Sequence, residues 1–354
     1  MNGIINLEFD GLKARNLDQL ERWNDWYFVV NFMNKGKEYF LTLTINEGTL
    51  LGGNGIRLSL SSDPFSIKTE ENVKVGIKAV NEITINKRQG KNALKYTENK
   101  NLIVIEMDDL TAHCKTNELK IISKNEIIKG ELIFTPRGPV FWWGNKKNVQ
   151  NKITERSDLR GFELLSSVHG KINVKGTEIE INDRGLFEHL WMNSLEFLKI
   201  RLEDWIYANF DQLFTFLCHV ESNSDDGSPY HYETGTIYVI EENDYLFTKK
   251  IEFMPTNWVY LKAAHRFIPL NQKIRVKTDK GTLKMKTTLS LYPQFIGRPR
   301  RIEDLTIHNI TGWNLMFYDA PITIEGKFFY KNGKTIKLTN GRGLNNVVRN
   351  FPLY

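Results

Sequence analysis

At 354 residues, with 41% hydrophobic, 25% charged and 12% aromatic side chains, the chain can fill two cores of ordinary size. This composition excludes a disordered or fibrous chain, and no apolar stretch is long enough to cross a bilayer. The formal charge of +6 comes from 48 basic and 42 acidic residues spread along the chain, too dilute a field for nucleic acid to be an expected partner.

Met1 to Asp10 has acids inside a short apolar run and no basic start, so no secretory signal is read there. Leu17 to Trp26 carries apolar residues at helical spacing and is the main predicted helix. Strand patterns follow over Phe28 to Thr44, Val73 to Ile85, Leu102 to Met107, Lys120 to Phe134 and Lys171 to Ile181, rich in β-branched and aromatic residues. The second half continues with Thr236 to Glu241, Leu246 to Phe253, Gln272 to Val276, Leu283 to Leu291 and Ile322 to Leu338. Asn34-Lys35-Gly36, Asp226-Gly227, Asp279-Lys280-Gly281 and Asn332-Gly333 supply hairpin turns between them. Many short strands with almost no βαβ signature predict an all-β chain of antiparallel barrels or sandwiches. Cys114 and Cys218 lack metal or redox spacing and read as reduced core residues of a cytoplasmic protein. The clusters Lys87-Arg88-Gln89-Gly90-Lys91 and Arg298-Pro299-Arg300-Arg301 suit weak, peripheral attraction to an anionic membrane surface.

One pair of sequence blocks occurs twice. Asp25-Trp26-Tyr27 with Asn31-Phe32 is answered by Asp204-Trp205-Ile206-Tyr207 with Asn209-Phe210, each before an apolar strand. Gly170 to Gly176 is answered by Gly326 to Gly333, and both copies then reach Arg-Gly-Leu, at Arg184-Gly185-Leu186 and Arg342-Gly343-Leu344. There they diverge: Phe187-Glu188-His189-Leu190-Trp191 in one copy, Asn345-Asn346-Val347-Val348 in the other. Shared elements should hold the fold, and the element found once should hold the chemistry. No Pro/Ser/Gly linker separates the copies, so two tightly packed domains are expected, with the boundary between Trp191 and Asp204.

Trp26-Tyr27 before a strand pair, the run Arg184 to Trp191, the aromatic-rich strand after Trp205 and the closing run Phe317 to Gly326 together resemble one family. It is the AttH-like and carotenoid 1,2-hydratase (hydroxyneurosporene synthase) family of double lipocalin-like proteins. The resemblance implies two tandem lipocalin-like antiparallel β-barrels with little helix, residues 1–195 carrying the His-x-Trp motif and residues 196–354 following. Two departures stand out: Glu188 where the family usually has Asp, and Met192 where it usually has glycine.

The resemblance also implies acid catalysis in an apolar pocket on an isoprenoid-like substrate, by hydration, isomerisation or cyclisation of a double bond, with no cofactor and no metal. On a strand, His189 and Trp191 share one face while Glu188 points to the other. His189 is the first catalytic candidate, against the alternative of a core histidine bonded to a neighbouring strand. Glu188 is read as a possible orienting group, or else as a surface or interface carboxylate. The family places a protonating acid on the strand after the motif; no residue aligns with it securely, and Asp211 comes first, then His219. Trp191, Trp205, Tyr207, His219, Trp143 and Trp313 are candidate substrate-binding residues. Trp26 and Trp205 are matched by the repeat and are both expected to plug their barrels. A non-catalytic carrier of a hydrophobic ligand would use the same cavity. A carbohydrate-processing enzyme would need paired carboxylates facing one cleft, and no such pair is legible.

Overall fold

The computed structural model describes residues 12–13, 23–48, 54–66, 83–90, 93–143, 152–155, 157, 159–192, 199–261, 266–297 and 315–350. Twenty-one strands carry nearly all of them. The first twelve are β1 (Trp23–Asn34), β2 (Lys37–Gly48), β3 (Gly55–Ser61), β4 (Ile83–Arg88), β5 (Lys95–Asn99), β6 (Leu102–Met107), β7 (Leu110–Lys115), β8 (Glu118–Lys124), β9 (Ile128–Pro136), β10 (Phe141–Trp142), β11 (Leu159–Val174) and β12 (Thr177–Met192). The remainder are β13 (Ile200–Asn209), β14 (Leu213–Asn223), β15 (Pro229–Val239), β16 (Asp244–Leu261), β17 (Arg266–Thr278), β18 (Gly281–Leu289), β19 (Gln294–Gly297), β20 (Leu315–Tyr330) and β21 (Thr335–Asn350).

The chain forms two compact units, one of Met1–Leu60, Ile83–Asn151 and Arg156–Leu195, the other of Ser61–Glu82, Lys152–Glu155 and Glu196–Tyr354. In the first, the strands run in the order β4-β3-β2-β1-β12-β11-β9-β8-β7-β6-β5, with β10 added on β11. Every pairing is antiparallel, and the sheet curls into a half-barrel around one apolar cluster. In the second, the order β18-β17-β16-β15-β14-β13-β21-β20 closes on itself through the β18–β20 ladder, Gly281 opposite Tyr330 to Leu289 opposite Ile322. That closure makes an eight-stranded barrel with no free edge in its wall. The expected all-β, tandem lipocalin-like architecture is the one observed.

Two expectations change. The described end of the predicted helix, Trp23 to Trp26, opens β1, paired with β2 and β12 on either side; the rest of it lies outside the described residues. Cross-strand partners on both sides outweigh a short helical spacing of apolar residues. Phe28 to Thr44, Lys120 to Phe134, Lys171 to Ile181 and Ile322 to Leu338 each prove to be two strands and a turn. At Asn125 the side-chain oxygen accepts the backbone N–H of Ile127 at 3.0 Å, which breaks the second of these runs. Of Val73 to Ile85, only Ile83 to Ile85 is described, as the start of β4.

Hairpin turns fix the registers. Lys35 and Gly36 have φ of 50° and 77°, and Lys175 and Gly176 have 50° and 90°, the left-handed pair that lets a two-residue turn match the strand twist. Below the second turn, β11 and β12 pair without a bulge from Val174–Thr177 to Leu159–Met192. Cys114 and Cys218 are both buried and neither forms a disulfide, and burial pushes the Cys114 thiol up to about 12.

Candidate functional site

The repeated Arg-Gly-Leu blocks occupy equivalent places, facing the first strand of each unit. Gly185 lies opposite Val30 on β1, and Gly343 lies opposite Ala208 on β13. A Cβ on Gly185 would stand 2.4 Å from the Val29 carbonyl oxygen, and one on Gly343 would stand 1.9 Å from that of Tyr207. Glycine is retained because the neighbouring backbone occupies the side-chain space.

Beyond Gly185 the strand alternates. Phe187 and Trp191 face the apolar cluster of the half-barrel, and His189 between them is fully buried on the same side. His189 sits on one rung with Trp26 of β1 and Phe162 of β11. The Trp26 indole stacks on its imidazole at 5.1 Å with planes 12° apart, the Trp191 ring lies 5.0 Å away, and Phe162 meets it edge-on at 6.1 Å. Trp142, held opposite Phe162 by β10, extends the box, with its ring 5.1 Å from Phe162 and 6.5 Å from Trp191. The indole N–H groups of Trp26 and Trp142 are both buried with no hydrogen-bond acceptor among the described residues. Two indole donors and one imidazole are thus buried inside an aromatic cluster, Asn24, Glu47 and Arg160 share the next rung with Trp191, and the indole faces suit a developing positive charge.

Glu188 points to the opposite face of β12. It is buried rather than on the surface, and lies opposite Glu163 of β11, itself buried, and opposite Tyr27 of β1. The Trp143 indole donates to Glu163 Oε1 at 2.9 Å. A pair of buried carboxylates on adjacent strands thus exists after all, behind the His189 box. The sequence carried the signal: counting back from the Lys175-Gly176 turn puts Glu163 opposite Glu188 and Phe162 opposite His189.

In the second unit the equivalent rungs hold different chemistry. Trp26 corresponds to Asp204, four residues before the one facing the glycine. His189 corresponds to Val347, Trp191 to Arg349, Phe187 to Asn345, and Phe162 to Tyr318. Arg349 Nη2 donates to both Asp204 oxygens at 3.0 and 2.9 Å, and Gln272 reaches Asp204 Oδ1 and Asn345 at 3.4 Å. Glu203, on the other face of β13, has its carboxyl pushed up to about 7, by burial first and then by the Asp204 charge, against the pull of Arg349.

Trp205 does not plug the barrel. It lies on the opposite face of β13 from the core residues Ile206 and Ala208, buried with Tyr207, its ring 5.9 Å from Phe216. Asp211 is exposed on the β13–β14 turn, its carboxylate accepting from Thr339 Oγ1 at 3.0 Å and Asn340 Nδ2 at 2.6 Å. The His219 ring stands 3.2 Å from Glu233 and 3.4 Å from Glu221, beside Phe253. Trp313 lies outside the described residues. Among the described residues no three His, Cys, Asp or Glu side chains converge as a metal-ligand set.

No family model and no curated protein sequence matches the chain. Solved structures do. A putative AttH from Nitrosomonas europaea superposes with a TM-score of 0.62 at 14% identity, covering 97% of this chain and 96% of that one. Kievitone hydratase from Nectria haematococca gives 0.56 at 11% identity, with 98% and 96% covered. CghA, solved with Sch210972, gives 0.58 at 8% identity, with 93% and 88% covered. The chain shares the fold of these proteins along nearly its whole length.

Proposed function

We propose that the chain is an enzyme acting on an apolar, isoprenoid-like substrate by proton transfer to a carbon–carbon double bond, with His189 as the group that moves the proton. The observation that carries this reading is a fully buried imidazole ringed by Trp26, Phe162 and Trp191, where the sister unit has only Val347. Protonation of one alkene carbon leaves a cation on its neighbour; the indole faces stabilise that charge while the box holds bulk water away. Loss of a proton from an adjacent carbon gives isomerisation, attack by a second double bond gives cyclisation, and capture by one water gives hydration. The indole N–H groups of Trp26 and Trp142 offer hydrogen bonds to an oxygen on the substrate. Kievitone hydratase shares this fold, which supports the hydration branch.

The test is isotope incorporation. The protein is incubated in heavy water with a panel of isoprenoid and polyketide alkenes, and products are read by mass spectrometry. Deuterium incorporation by the wild type, lost in His189→Phe while the variant still folds, is the expected result. Equal incorporation by both would overturn the assignment. The aromatic lining of the box favours one second reading, a carrier of hydrophobic ligands; retention of a ligand in native mass spectrometry, with no incorporation by the wild type, would select it.

A further inference from the structure

We propose that the outer face of β16, β17, β18 and β20 docks on an anionic lipid bilayer. The register sorts this face into rungs. At the β16–β17 end, Tyr260 pairs with Phe267 and Trp258 with Pro269. On the alternate positions Leu261 and Ile268 belong to a buried apolar cluster and Val259 packs against it, so the paired aromatics point outward. Trp258 is 55% and Phe267 61% exposed, and the Tyr260 and Phe267 rings meet edge-on at 5.2 Å. Large aromatic rings left this open on a sheet face mark a surface made to be covered.

Further along the same face the rungs turn basic. Met254 is followed across the sheet by Lys273, Lys286 and Glu325, and Glu252 by Arg275, Lys284, Lys327 and Lys337. All of these cations are exposed. Lys273 directly faces Lys286, and Arg275, Lys284, Lys327 and Lys337 face one another in series. Like charges set opposite each other destabilise a sheet, and an anionic partner converts that repulsion into attraction.

Lipid is the occupant that fits this order. Phe267 and Lys273 stand six positions apart on β17, so the aromatic end and the first cations lie within about 20 Å along the strand. Aromatic rings at headgroup depth with lysines beside them are the usual make-up of a membrane interface. A single-stranded nucleic-acid face interleaves its rings with its cations; here the paired aromatic rungs lie to one side of the basic ones. The proposal is independent of the reaction at His189.

Co-sedimentation tests it, comparing vesicles of phosphatidylcholine alone with vesicles containing roughly a third phosphatidylserine. Binding to the anionic vesicles only, reversed by salt and weakened at least about tenfold by Trp258→Ser with Phe267→Ser or by Lys284→Glu with Lys327→Glu, is expected. Circular dichroism checks that each variant folds. Should one melt early, tryptophan quenching by acyl-brominated lipids reads insertion of the wild type, and its decrease in Trp258→Phe assigns the inserted ring. No sedimentation with anionic vesicles, sedimentation unchanged by both pairs of substitutions, or binding of a single-stranded oligonucleotide in place of vesicles would each overturn the proposal.

Discussion

On the same rungs of the same kind of sheet, the first unit places Trp26, His189 and Trp191, and the second places Asp204, Val347 and Arg349. The backbone demand is common to both: glycine at 185 and 343, where a neighbouring carbonyl fills the side-chain space, and leucine after it. Four and six residues beyond the glycine, that demand has lapsed and the units take opposite solutions. One builds an aromatic box around a single titratable ring. The other builds a charged pair that neutralises itself and is extended by Gln272 and Asn345. A matched ion pair holding its own hydrogen bonds is a structural element. A fully buried imidazole stacked among indoles is a titratable group set in an apolar surround, and that is where chemistry is to be sought.

Breaking the first member of the comparison should have the largest effect. His189→Phe keeps the volume and stacking of the box and is expected to lower turnover by about 10²–10⁴, the usual contribution of a positioned acid or base, measured by the isotope assay. Breaking the second should cost stability instead. Asp204→Ala leaves Arg349 largely buried without its carboxylate and is expected to destabilise the chain by about 3–5 kcal/mol in urea unfolding. Asp204→Leu with Arg349→Met should recover most of that loss, since well-packed apolar replacements of buried pairs are tolerated.

Glu203 sharpens the contrast through pH. Its carboxyl is raised from 4.5 to about 7 in the folded chain, so the folded state keeps a proton that the unfolded state has released between those values. The associated stability is present below about 4.5 and is lost as pH rises to about 7. Glu203→Gln should therefore unfold at higher temperature than the wild type at pH 8 and match it near pH 4, a difference read by melting curves at the two pH values. The smallest effect is expected behind the His189 box. Trp143→Phe removes one donor to the buried Glu163 carboxylate and should cost about 1.5–3 kcal/mol, without the loss of turnover expected of His189→Phe.

Much of the fold was readable from the chain. Strand patterning with Gly-containing turns predicted antiparallel sheets, and the side-chain alternation from Phe187 to Trp191 placed His189 and Trp191 on one face because a regular strand allows nothing else. The partners of that face were less accessible. Phe162 and Glu163 stand far from His189 and Glu188 in sequence, and only the bulge-free hairpin below Lys175-Gly176 brings them opposite. The charged pair of the second unit escaped for a similar reason: Asp204 and Arg349 meet across two strands joined by most of a barrel.

The sequence by itself determined the strands, their turns, the duplicated blocks and the one histidine that the second copy lacks. Only the tertiary structure decided which repeated residues correspond. Trp26 precedes Asn31 by five positions and Trp205 precedes Asn209 by four. Aligning the blocks on Asp-Trp therefore pairs the two tryptophans, whereas the sheets align on the glycine rungs and pair Trp26 with Asp204. With a side-chain period of two, a shift of one residue exchanges the faces of a strand, and that exchange puts Trp26 in the core of its sheet and Trp205 on the face of β13 that turns away from the barrel core.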